Sequence, residues 1–282
     1  MEQLKFKLNN WIVIPAVGIW TFMISPADTE NSVREALKMW YRLIDTANAY
    51  VNERAVWRWM KASWVDRSEI FLSTKIWASE YENPNAVEAT LERLWVNYID
   101  LLFIHQPTRN YKEWYKQLEK AYKECKIKSI WISNFEWEVL DELLANCEIK
   151  PQVIQVEAHP YYPQTELRKT LDKHDIKLMS WYPLWHWDAS LINEPIFKEL
   201  WEKYNKTSAQ IILRWHIQMG FIVIPGSKNP DHIRDNFALF DFELTAEEMN
   251  KIAGIDKNTR YYYSKPELLD NYQAWQPEYE KE

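Results

Sequence analysis

Short apolar runs alternate with longer amphipathic stretches along nearly the whole chain. Leu4, Phe6 and Leu8 alternate with polar residues, Asn9-Asn10 offers a turn, and Ile12-Val13-Ile14 returns, the pattern of a small hairpin over residues 4–14. The spacing then predicts strands at 15–19, 41–44, 70–74, 98–104, 128–132, 152–156, 177–180 and 221–224. These runs of Ile, Leu, Val and Phe lack a clean polar alternation, as strands buried on both faces do. Helices are expected between them, the first capped by Asp28 or Asn31 and running to Met39, the rest at 52–62, 85–94, 111–124, 136–145, 165–174, 195–204 and 207–219. Segments 231–239 and 245–255 read as closing helices, and the polar, aromatic tail after Tyr261 as a surface wrap. Eight strand–helix alternations with short connections predict an α/β fold: a (β/α)8 TIM barrel with an N-terminal β-hairpin and C-terminal closing helices, one domain over residues 1–282.

Composition narrows the function. The 282 residues are 47% apolar, enough to fill a large core. A net charge of −7 argues against a nucleic-acid partner, which calls for a basic footprint. No apolar run is long enough for a membrane span, and the first residues lack the apolar core of a signal peptide. Cys125 and Cys147 have neither metal-ligand spacing nor a disulfide pattern. The expectation is a cytoplasmic enzyme, monomer or weak dimer, that works without metal.

Three of the apolar strands end in an ionisable residue. Asp45 closes the strand Leu43-Ile44, with Tyr50 five positions on; Lys75 closes 70–74; His105 closes 98–104. In a parallel barrel those ends meet on the face that carries the chemistry. Taken singly, Asp45 could be a cap, Tyr50 a packed aromatic and His105 a core histidine. Lys75 is harder to dismiss, since a buried lysine needs a partner. Together they suit protonation of an oxygen as hydride reaches its carbon. Lys75 would lower the Tyr50 pKa, Asp45 would hold Lys75, and His105 would orient a carbonyl. No serine or cysteine nucleophile stands in a suitable motif, and one histidine makes a poor zinc site.

The motifs Asp45-Thr-Ala-x-x-Tyr50, Ser73-Thr-Lys75, Tyr98-Ile-Asp-Leu-Leu-x-Ile-His105-x-Pro107 and Ile132-Ser-Asn-Phe135 resemble those of the aldo-keto reductases, in the family's order, over about residues 5 to 265. The chain is similar to the small bacterial, diketogluconate-type members. The resemblance implies an NAD(P)H-dependent reductase of small carbonyl compounds, with Tyr50 as general acid supported by Asp45, Lys75 and His105. It implies that Ser133, Asn134 and Gln155 bind the nicotinamide carboxamide and that Trp181 stacks on its ring. Phe22, Trp77 and Gln106 match substrate-pocket positions. Around the adenosine phosphate the match is Ser227, Lys228, His232 and Asn236. Gly226 and His232 depart from the family's Ile-Pro-Lys-Ser and following arginine, which weakens the family's preference for NADPH over NADH. A non-catalytic, nicotinamide-sensing regulatory barrel is the alternative.

One composition value is abnormal: 17 tryptophans against 4 glycines, where glycine is usually about 7% of a protein. The resemblance implies glycine at Trp11, Trp20, Trp40, Trp57, Trp59, Trp64, Trp95, Trp114, Trp131, Trp137, Trp185, Trp187 and Trp201. Exchanging these 13 would leave four tryptophans (Trp77, Trp181, Trp215 and Trp275) and 17 glycines, close to the usual share. The expectation is that a UGA codon meaning glycine has been read as tryptophan. Cys125, at another glycine-like position, is not explained this way.

Overall fold

The computed structural model describes residues 3–185 and 188–279. Lys5–Lys7 (β1) and Val13–Pro15 (β2) pair antiparallel as the hairpin. The barrel strands follow in order: β3 (Ile19–Trp20), β4 (Leu43–Asp45), β5 (Phe71–Ile76), β6 (Leu101–Ile104), β7 (Ile130–Ser133), β8 (Val153–Glu157), β9 (Lys177–Trp181) and β10 (Ile222–Val223). Each pairs in parallel with the next. A parallel bridge between Val17 and Val223 joins the two ends, so the sheet closes on itself.

The helices between strands are α1 (Pro26–Lys38), α2 (Glu53–Ala62), α3 (Ala86–Arg93), α4 (Tyr111–Lys123), α5 (Trp137–Asn146), α6 (Thr165–Lys173), α7 (Pro195–Tyr204) and α8 (Ser208–Gln218). Then come α9 (Pro230–Phe237), α10 (Ala246–Ala253) and α11 (Pro266–Ala274). Two buried layers result. Inside the barrel pack Leu43, Phe71, Leu101, Phe103, Trp131 and Met179, with Leu8 and Ile14 of the hairpin closing the bottom. Between strands and helices lies a larger cluster that includes Val33, Leu72, Ile104, Ile132, Leu144 and Ile212. The hairpin thus plugs one end, and the strand C-termini are left at the other.

Several expectations are corrected. Pro15 belongs to the hairpin, where it pairs with Lys5, and the first barrel strand is only two residues long; Gly18 just before it lets Leu43 approach, since a Cβ there would lie 2.5 Å from Leu43 Cγ. The cap of α1 is Ser25, whose hydroxyl accepts from the Asp28 N–H; Pro26 at the first helical position already favours that start. The tail is not a mere wrap, since it contains α11. Trp187, and His186 beside it, lie outside the described residues.

Candidate active site

The strand ends deliver the expected groups to one place. β4 ends at Asp45 and β5 carries Lys75; both side chains are fully buried and ion-paired. Asp45 also accepts from Ser73 Oγ at 2.6 Å, and Lys75 donates to the Thr46 carbonyl at 2.8 Å. Burial pushes Asp45 up and Lys75 down, and the charge of each opposes the shift of the other. The short turn Asn48–Tyr50 after β4 brings the Tyr50 ring over this pair, with Lys75 Nζ 4.7 Å from its centre. His105, just past β6, stands edge-on to Tyr50 at 5.7 Å.

These groups open into a cavity of about 410 Å³ at the barrel mouth, lined by Tyr50, His105, Phe22, Trp77, Gln106, Ser133, Asn134, Gln155 and Trp181, all expected from the sequence. Its polar floor is linked: Trp181 Nε1 donates to Asn134 Oδ1 at 3.1 Å, and Asn134 Nδ2 to Gln106 Oε1 at 3.2 Å. Gln155 Nε2 lies 3.4 Å from the Met179 sulfur. Ser227, Lys228 and His232 lie elsewhere, on the surface at the start of α9, where Lys228 approaches Asp28 at 3.7 Å; Asn236 is buried in that helix.

Electrostatics correct one expectation. Lys75 does not pull the phenol down: burial, reinforced by the Asp45 charge, pushes the Tyr50 pKa well above its ordinary value, against a hydrogen bond from Trp20. Lys75 directs two of its three donors to Asp45 and Thr46, and the Asp45 carboxylate answers its charge before it reaches the phenol. Burial, with the Lys75 charge, drives His105 well below its usual range and keeps it neutral. Its Nδ1 has no hydrogen-bond partner among the described residues.

Sequence reasoning missed part of the wall. Tyr182, Tyr262, Tyr272 and Trp275 also line the cavity. The last three come from the C-terminal segment, which is strapped over the mouth. Glu157 at the end of β8 accepts from the Tyr261 and Tyr262 N–H groups at 2.7 and 2.8 Å, and Trp77 Nε1 donates to the Tyr272 carbonyl at 2.8 Å. These contacts join positions about a hundred or more residues apart, which no local pattern signals.

The chain matches the family described as "Aldo/keto reductase family" over residues 16–257. It is 41% identical to a protein named glyoxal reductase from Bacillus subtilis, over 93% of this chain and 96% of that one. It is 38% identical to methylglyoxal reductase DkgA from Yersinia pestis, over 92% and 95%. A crystal structure of an aldo-keto reductase from Bombyx mori in complex with NADP superposes with a TM-score of 0.87 at 29% identity, over 92% of this chain and 95% of that one. The barrel and its mouth are those of a nicotinamide-dependent oxidoreductase. The chain belongs to the aldo-keto reductase family.

Proposed function

We propose that this chain reduces small aldehydes and ketones with NADPH or NADH, that α-dicarbonyls of the glyoxal type are its favoured substrates, and that Tyr50 is the general acid. The observation that carries this reading is the shared cavity. One phenol and one neutral imidazole face it beside Ser133, Asn134 and Gln155, above a buried Asp45–Lys75 pair. A hydroxyl and two amides offer both donors and acceptors, which suits a carboxamide, and Trp181 offers an aromatic face. Ser133, Asn134 and Gln155 would hold the nicotinamide, which when bound supplies hydride. Ser227, Lys228, His232 and Asn236 would hold the adenosine end. With histidine rather than arginine at 232, and Arg234 engaged with Asp231 and Asp235, discrimination in favour of the phosphate is weak.

Tyr50 enters the reaction protonated, because burial holds its proton. It gives that proton to the substrate oxygen as negative charge develops there. Lys75, 4.7 Å from the ring centre and held by Asp45 and Thr46, fixes the floor on which the phenol ring sits. Neutral His105 offers the same oxygen a hydrogen bond without competing as the acid. The aromatic walls Phe22, Trp77 and Trp275 favour a compact carbonyl compound and exclude water.

The test is oxidation of NADPH, followed by its absorbance, across a panel that includes glyoxal and methylglyoxal. It is run on this chain, its Trp20→Gly variant, and Tyr50→Phe in whichever of the two is faster. Tyr50→Phe should lose turnover by about 10²–10⁴-fold while NADPH binding is kept. Undiminished turnover would remove Tyr50 from the role. Tight NADPH binding without turnover in either parent would favour the regulatory barrel.

A further inference from the structure

The backbone sets part of the thirteen-residue group apart: Trp20, Trp57, Trp59, Trp114, Trp131 and Trp201 have ordinary φ, but the other described members do not. Six of the 13 glycine-like positions, Trp11, Trp40, Trp64, Trp95, Trp137 and Trp185, have φ between 48° and 73°. Trp77, Trp181, Trp215 and Trp275 are absent from that region. Positive φ is uncommon for any residue with a Cβ and a clear outlier for a bulky one. Two of the six close helices in one geometry. Trp40 N–H bonds to the Leu37 carbonyl and Tyr41 N–H to that of Ala36; Trp95 N–H bonds to Glu92 and Val96 N–H to Leu91. This is the Schellman ending, which favours glycine. The same pair of bonds ends α8, from Gly220 to Ile217 and Phe221 to His216, and there the residue is glycine at φ 80°.

Side chains tell the same story. Trp11, Trp40, Trp64 and Trp95 are 67–97% exposed, an unusual state for indole. Trp114 and Trp131 are fully buried, yet their indole N–H groups have no partner among the described residues. Buried tryptophan ordinarily finds one. Trp131 lies inside the barrel with its ring centre only 3.5 Å from that of Phe103.

Among the described residues, Trp20 is the member of the set that lines the candidate active-site cavity. It stacks on Phe22 at 4.8 Å, and its Nε1 donates to the Tyr50 hydroxyl at 2.9 Å. The indole therefore occupies the hydrogen-bonding shell of the group proposed to protonate the substrate. A carbonyl oxygen must come within about 2.6–3.2 Å of that hydroxyl to receive its proton.

We propose that the thirteen positions carry glycine in the protein its cell makes, through UGA read as glycine, and that tryptophan at position 20 closes the reductase site that glycine leaves open. The second clause rests on the reductase reading; the first does not. Glycine at position 20 removes the indole from Tyr50 and leaves the rest of the cavity wall in place. Glycine at the six positive-φ sites relieves strain without removing a core contact at the exposed ones.

The experiment has two arms. Codons and peptide masses come from the gene and from protein purified from its own cells. All thirteen codons should be UGA, those for Trp77, Trp181, Trp215 and Trp275 should be UGG, and the thirteen peptides should have glycine masses. UGG at Trp20, Trp40 or Trp95, or a tryptophan mass there, would overturn the decoding. In the second arm, Trp20→Gly and Trp20→Ala are made in the chain as written, with NADPH affinity measured by fluorescence beside turnover of glyoxal. Turnover should rise in both by about 10-fold or more, within the roughly 10²–10⁴-fold that a general acid in reach of its substrate contributes. A parent that is active and no slower than either variant would overturn the gate. Glycine masses combined with NADPH binding but no turnover in any form would leave the decoding standing and remove the reductase reading.

Discussion

At the scale of single residues the site rests on a buried charge pair. Lys75 and Asp45 have no exposed surface, so each is the other's main compensation. Removing one partner of a buried pair typically costs about 3–5 kcal/mol, because the remaining charge is stranded. Lys75→Met should therefore lower unfolding stability by that amount in urea titrations, as well as abolishing turnover. Adding Asp45→Asn to Lys75→Met should recover part of the loss, since the stranded charge is gone and Ser73 Oγ still has an oxygen to bond. A double variant no more stable than the single would show that the stranded Asp45 charge is not the source of the loss.

That Asp45, Lys75 and His105 come together was legible because each stands at or near the end of an apolar strand, and a parallel barrel sends such ends to one face; Tyr50 joins them through the turn after β4. Their electrostatics were not. Whether Lys75 lowers the Tyr50 pKa depends on where its donors point, and the strand pattern is silent on that. Tyr262, Tyr272 and Trp275 were illegible for a different reason: they reach the cavity through contacts of Glu157 and Trp77 with a segment far away in sequence.

At the scale of elements, apolar runs located every barrel strand to within a few residues, and helix starts and ends were less secure. Ser25 caps α1 although Asp28 and Asn31 were the more conspicuous candidates, and the latter two fall inside the helix. α11 was lost in an aromatic, polar tail without a clear period. The helix ends also offer an internal comparison. Gly220 and Trp40 make the same two closing bonds at φ 80° and 70°. Nothing lies within 4 Å of a Cβ at Gly220, so Gly220→Ala tests backbone conformation alone. It should destabilise by about 1 kcal/mol, and Trp40→Gly should stabilise by a similar amount. Midpoints of urea unfolding for the two variants would check both signs. A Trp40→Gly variant less stable than its parent would mean that the Arg42 guanidinium stacked 5.0 Å from the Trp40 ring outweighs the strain.

At the scale of the whole molecule, three buried histidines link folding to pH. His105, His159 and His216 are all held below the usual histidine value, burial being the main cause in each. His216 is the clearest case outside the cavity. It sits in α8 with Nδ1 2.8 Å from the Ile212 carbonyl and Nε2 3.0 Å from that of Ala158. Those carbonyls favour the protonated ring and the neighbouring His159 disfavours it, but burial wins and pushes the pKa down to about 4. The folded state thus binds fewer protons than the unfolded one between pH 6.5 and about 4, and stability must fall as pH falls through that window. A shift from 6.5 to about 4 corresponds to roughly 3 kcal/mol for His216 alone. Paired carboxylates such as Glu248, whose pKa is lowered to about 2, lose their contribution only in more acidic solution, so the two effects separate along the pH axis. Urea unfolding at steps from pH 7.5 to pH 4 should show this slope in the parent and a shallower one in His216→Gln, whatever that variant costs at neutral pH. Equal slopes would mean that His216 protonates in place, with both carbonyls as its acceptors, and that the interior around α8 tolerates a cation.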